Sequence, residues 1–229
     1  DGEIHLGPGF KLLHYGALVE LSGGRYRHNA SHNAGTIYHE YGHHICRHTA
    51  DFMANQMRRS ERQSNRKTVL DEGTCDYWAA TMLGTPHIWC WHRRHDASGV
   101  HPRSLTSAKT MADYDPDQPR ASHKNGTIWA AGLWNLRQQM ELIAPEGARA
   151  ADLLVLQGMV LVGQLIADTA SPKARDVRLV REGMATGLEA LVRADKKLFS
   201  GRYRNLILET FAARGVFFAQ NAKSGALAS

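Results

Sequence analysis

The run His39-Glu40-Tyr41-Gly42-His43 constrains this chain more than any other stretch, because its residues act together only on a helix. On an α-helix, positions i and i+4 are separated by one turn of rise and about 40° of rotation. His39 and His43 can therefore direct two imidazoles at one point. On a strand the same pair would stand about 13 Å apart. Glu40 projects about 100° around the helix from His39, beside that point rather than on it. Neutral imidazole nitrogen is a preferred zinc ligand, and a carboxylate beside the metal can take a proton from water bound there. Five residues with two variable positions also arise by chance in helices with surface histidines, so support is needed from the rest of the chain.

The first support is Asp71-Glu72-Gly73-Thr74-Cys75-Asp76-Tyr77. Two histidines leave a catalytic zinc one protein ligand short, and Glu72 supplies a third. Asp76 lies one turn further along the same face, where it can accept the outward N–H of a ligand histidine and fix its tautomer. The second is His123, directly before a third predicted helix. A histidine there can donate a hydrogen bond to the oxyanion of a tetrahedral intermediate.

Together the runs HEYGHHI, DEGTCDYWAA and HKNGTIWAAGLW resemble the fungalysins, and more distantly the thermolysins, both glutamate-liganded zinc endopeptidases. The segments DLLVLQGMVL, ARDVRLV, LVRADKKLFSG and ETFAARGV follow the order of the fungalysin C-terminal helices, so the resemblance spans roughly residues 37–220. It implies an α+β, mostly α fold. A small β-containing N-terminal lobe and a helical C-terminal lobe would hold the active site between them. It implies zinc ligands His39, His43 and Glu72, Glu40 as general base, His123 as transition-state stabiliser and Asp76 behind a ligand histidine. Arg103, in His101-Pro102-Arg103-Ser104-Leu105, resembles the arginine that holds a substrate carbonyl. The edge strand that pairs with substrate in these families is expected among residues 15–22 or before Asp1. No tyrosine stands between His43 and Glu72, where thermolysins have a second oxyanion donor. The resemblance also implies a secreted zymogen, with a propeptide removed before Asp1.

Along the chain, residues 1–32 are rich in Gly and His with short apolar runs, which suits strands and turns. Helices are predicted from Asn33 past Cys46, over Asp71–Leu83, from Lys124 to Leu142, and over 151–168, 174–194 and 203–220. Residues 50–69 are polar and partly helical, and 93–122 form a long proline-containing loop. The reading is one catalytic unit in two parts. Residues 1–50 carry strands and the HExxH helix, in a lobe truncated upstream. Residues 51–229 form the helical lobe.

The formal net charge of +6 is spread along the chain, so nucleic acid is not an indicated partner. The expected partner is a polypeptide substrate, and the expected state a monomer. The apolar stretch Leu153–Ala167 carries Gln157 and Gln164 and is short for a bilayer, so it reads as a core helix rather than a membrane span. Three cysteines, Cys46, Cys75 and Cys90, are not a disulfide framework. Cys46 and Cys75 each follow a ligand candidate by three residues, which makes them either the pair to bridge or two buried thiols. His44 and His48 repeat the i, i+4 spacing without the glutamate. His28 with His32, and His87, His92 and His95, read as structural or exposed, although a small zinc site near Cys90 is conceivable. Asp113, Asp115 and Asp117 could hold calcium but lack an EF-hand pattern. Two other functions stay open: an inactive metal-bound structural or binding module, and an aminopeptidase. Asp76 argues against the last, because related aminopeptidases lack it.

Overall fold

The computed structural model describes residues 20–21, 24–25, 34–50, 68–88, 103–116, 122–169, 171, 173–174 and 182–219. Six α-helices account for most of the described residues. They are α1 (Ala34–Thr49), α2 (Val69–Leu83), α3 (Ser122–Ile143), α4 (Gly147–Ala167), α5 (Gly183–Phe199) and α6 (Arg204–Ala212). Among the described residues, the strands are a short antiparallel pair, β1 (Glu20–Leu21) with β2 (Gly24–Arg25), in which Glu20 pairs with Arg25 and Leu21 with Gly24. This pair does not amount to a β-containing lobe. Of the stretch 15–22 where the edge strand is expected, only Glu20 and Leu21 are described; the 51–67 stretch, Cys90, Asp117 and the histidines at 28, 32, 92 and 95 lie outside the described residues.

α2 is the centre of the fold. Every residue from Val69 to Ala80 except Asp71 is buried. A helix apolar nearly all round must be covered on several sides. α1 packs on one side of it, α3 on another, and α5 touches a third. Thr68 starts α2, its hydroxyl accepting the Asp71 N–H at 3.1 Å. Asp71 and Glu72 then sit in the first turn, where the helix dipole favours negative charge. Gly84 ends the helix at φ 68°, a left-handed conformation that glycine adopts without strain.

Trp129 of α3 fills the centre of the core. It is fully buried, donates its indole N–H to Thr74 Oγ1 at 3.1 Å and packs against Phe211 of α6, with ring centroids 4.7 Å apart. Fully burying large apolar side chains of this kind contributes about 1.5–3 kcal/mol each. α4 has a mean hydropathy of 1.8 and is long and apolar enough to cross a membrane by those criteria. Here one face, including Leu154, Val155, Met159 and Val162, is part of the core.

Several helix limits depart from the sequence expectation. α3 begins at Ser122 and α4 at Gly147, both earlier than expected, and α5 continues to Phe199. α6 stops at Ala212 instead of reaching residue 220. Gly215 turns at φ 74°, and Val216 N–H bonds back to Phe211 C=O at 3.0 Å, closing the helix. Buried Arg214 donates through Nη1 to the carbonyls of Ser107 and Lys109 at 3.0 and 2.8 Å. The loop carrying Arg103 is fixed further by the His87–Ser104 bridge and by Leu105 N–H donating to Pro86 C=O at 2.9 Å.

Candidate metal centre

Three elements meet at Glu72: the middle of α1, the first turns of α2 and the start of α3. They come close because glycines line the crossings. A Cβ on Gly42 of α1 would stand 2.8 Å from Cys75 Cα, and one on Gly73 of α2 would stand 2.5 Å from Gly126 C=O on α3. Real side chains do not fit at those distances.

His39 is 1% exposed and Glu72 is fully buried. His39 Nε2 lies 3.3 Å from Glu72 Oε2, and His43 Nε2 lies 3.8 Å from Glu72 Oε1. The opposite nitrogen of each ring is held by a carboxylate. His39 Nδ1 pairs with Asp76 Oδ1 at 2.7 Å, and His43 Nδ1 with Asp71 Oδ1 at 2.9 Å. With Nδ1–H donating in both cases, both Nε2 atoms are turned toward Glu72. Asp76 thus lies against the outward nitrogen of His39. Asp71 was missed. Its signal is the i, i+4 pair Asp71 and Cys75, which puts both on one face of α2. Cys75 Sγ also touches His43 Nδ1 at 3.2 Å.

Arg103 donates through Nε to Asp76 Oδ2 at 2.8 Å, so it braces the carboxylate that orients His39. Its Nη2 lies 3.7 Å from Glu72 Oε2 and 3.1 Å from His123 Nδ1. His123 Nδ1 is 2.6 Å from Glu72 Oε2. One nitrogen cannot both donate to the carboxylate and accept from the guanidinium. The shorter contact decides: Nδ1–H donates to Glu72, and Arg103 lies beside it as a neighbouring cation. The His123 side chain is 45% exposed. Glu40 is partly buried on α1 between the two histidines.

Charge follows from these contacts. Burial alone would lower His39, but hydrogen bonds to Asp76 and Glu72 override it and raise its pKa to about 9. Burial also opposes charge on His43, and Asp71 outweighs it, raising that pKa as well. Glu72 would be raised by burial, yet hydrogen bonds from His123 and His39 hold it far below the usual carboxylate range. The cluster is an ionised carboxylate facing imidazoles of which His39 and His43 are shifted toward their protonated form.

The residues fit a zinc ion. Donors around tetrahedral zinc, with bonds of about 2.0–2.2 Å, stand roughly 3.3–3.5 Å apart. The two Nε2-to-carboxylate distances are close to that spacing, and His43 Nε2 is buried and makes no hydrogen bond. Two separate donor groups are present among the described residues, His39 with Glu72 and His123, and His43 with Asp71 and Cys75, the ligand atoms of each within 4.8 Å of one another. The tautomers favour the Nε2 set of His39 and His43, because Asp71 and Asp76 occupy both Nδ1 atoms.

Residues 22–219 match the family model of the fungalysin metallopeptidases. The chain belongs to that family. It is therefore a metalloprotease hydrolase with polypeptide substrates, in a family that depends on zinc and whose members are typically secreted. No curated protein and no solved structure matches the chain.

The remaining candidates make other contacts among the described residues. His44 and His48 meet edge to face on α1, with centroids 4.5 Å apart. His87 pairs with Ser104 Oγ at 2.8 Å. Asp113 closes a capping box with Thr110, and Asp115 pairs with Lys124 at 3.2 Å. Trp78, Trp129 and Trp134 belong to the core.

Proposed function

We propose that this fungalysin is a zinc endopeptidase with His39, His43 and Glu72 as metal ligands and Glu40 as general base. One observation carries the reading: both Nε2 atoms face Glu72, and each ring is held from behind by its own carboxylate. That arrangement sets tautomer and direction for two imidazole ligands at once. A bound zinc would supply Lewis acidity toward the scissile carbonyl and lower the pKa of water.

The chain's own residues do the rest. Glu40 removes a proton from the attacking water and delivers it to the leaving amine nitrogen. His123, half-exposed beside Glu72, donates a hydrogen bond to the oxyanion of the tetrahedral intermediate. Arg103 orients Asp76 and adds positive charge on the same side, where a substrate carbonyl would lie. The pairing of Asp76 with His39 favours endopeptidase over aminopeptidase, and an N-terminally blocked peptide tests this, because an aminopeptidase would reject it.

Casein hydrolysis and zinc content test the assignments together. Glu40→Gln is expected to keep one zinc and lose turnover by about 10²–10⁴-fold; cleavage at the parent rate would end the general-base assignment. His39→Ala and His43→Ala are expected to lose zinc on dialysis. His123→Ala is expected to keep zinc and lose about 10²–10³ in kcat. Loss of zinc from His123→Ala with retention in His43→Ala would instead select the His39, Glu72 and His123 donor set.

A further inference from the structure

We propose that Cys46 and Cys75 are a disulfide-forming site that staples α1 to α2 directly behind His43. A disulfide requires Cα atoms within about 4.4–6.8 Å, which only a close helix crossing allows. The α1–α2 crossing is of that kind: a methyl group on Gly42 would stand 2.8 Å from Cys75 Cα and 3.2 Å from Cys75 Sγ. Cys46 follows Gly42 by one turn on the same face of α1. Its thiol neighbours that of Cys75. Both side chains are wholly buried and both are reduced here. Cys75 Sγ also reaches Asp71 Oδ1 at 3.6 Å and His43 Nδ1 at 3.2 Å, so the pair abuts the back of a ligand candidate.

The reaction is exchange with a low-molecular-weight disulfide such as oxidised glutathione. One cysteine thiolate attacks that disulfide and releases the first reduced thiol. The second cysteine thiolate attacks the resulting mixed disulfide and releases the other. Cys46 and Cys75 lose two S–H bonds and gain one S–S bond. The oxidant's S–S bond breaks, and its two sulfurs take up two electrons and two protons. Neither cysteine is exposed, so exchange occurs while the helices are apart, and docking then shields the bond from reductant. The staple also fixes the spacing of His43 and Glu72 and slows metal loss, a consequence that rests on the zinc reading.

The test uses the full chain carrying Cys90→Ser, folded with zinc in either dithiothreitol or oxidised glutathione. Free thiols are counted by alkylation under denaturing conditions, and cross-linked peptides are identified by mass spectrometry. The oxidised sample is expected to contain no free thiol and a peptide pair joined through Cys46 and Cys75. Its melting temperature should exceed that of the reduced sample by about 5–10 °C. Cys46→Ser and Cys75→Ser, made separately in that background, are each expected to melt at the same temperature in both conditions. Two alkylatable thiols after oxidative folding, or an oxidised form melting at or below the reduced one, would overturn the proposal. Thiol count and melting do not depend on zinc, so a failure to bind zinc would sink the metal reading and leave the staple to be judged by its own measurements.

Discussion

His39, His43 and His123 all face one buried carboxylate, and Asp71 and Asp76 stand behind two of those rings. The outer carboxylates decide what the rings can do. Without Asp76, His39 loses the acceptor that keeps its proton on Nδ1, and Arg103 loses its anchor at 2.8 Å. Zinc affinity is expected to fall about 10–100-fold in Asp76→Ala. Asp71→Ala is expected to weaken zinc in the same range by releasing His43. Competition with a calibrated chelator measures both. Unchanged affinity in either variant would mean that its histidine is oriented by packing alone.

At the scale of helices, the centre depends on how closely α2 and α3 cross. Gly73 directly follows Glu72, and Gly126 lies one turn after His123. Each lies against the other's backbone, with 2.5 Å from a Gly73 Cβ to Gly126 C=O and 3.0 Å from a Gly126 Cβ to Gly73 N. A Cβ at either position must push the helices apart. Gly126→Ala is therefore expected to cost about 1–3 kcal/mol, lowering the melting temperature by roughly 2–4 °C per kcal/mol. It should reduce turnover more than zinc content, because His123 and Glu72 separate while the α1–α2 crossing is left in place. Calorimetry and metal analysis on one preparation test this, and a Gly126→Ala protein with parent stability would refute it. The same crossings explain what the sequence could reveal. The spacing of His39, Glu40 and His43 is a property of one helix, and so was legible. So was Asp76, one turn beyond Glu72. Asp71's role was not, because it depends on which face of α2 meets α1, and that is set by the contact of Gly42 with Cys75. The end of α6 was misjudged for a related reason: apolar residues continue through Val216, Phe217 and Phe218, but Gly215 turns the chain before they can join the helix.

For the molecule as a whole, the same buried groups make folding and metal binding respond to pH in opposite directions. The folded-state pKa of His39, about 9, lies above the ordinary 6.5. In metal-free protein its stabilising contribution is thus fully present below pH 6.5 and is lost as pH rises through 9. At about 1.4 kcal/mol per pKa unit, roughly 3 kcal/mol is the ceiling for that loss. His43 is shifted in the same direction. Glu72 is lowered, so its contribution is present above the ordinary carboxylate range and is lost only as pH falls into strong acid. Zinc needs both imidazoles unprotonated, so protons and metal compete for the same nitrogens, and affinity rises over the window in which the metal-free fold weakens. Urea unfolding at pH 6.5, 7.5 and 9, with EDTA or with excess zinc, tests the coupling. The midpoint in EDTA is expected to fall across the series, and the gap between zinc and EDTA is expected to widen. A gap that stayed constant with pH would mean that these imidazoles do not hold the metal.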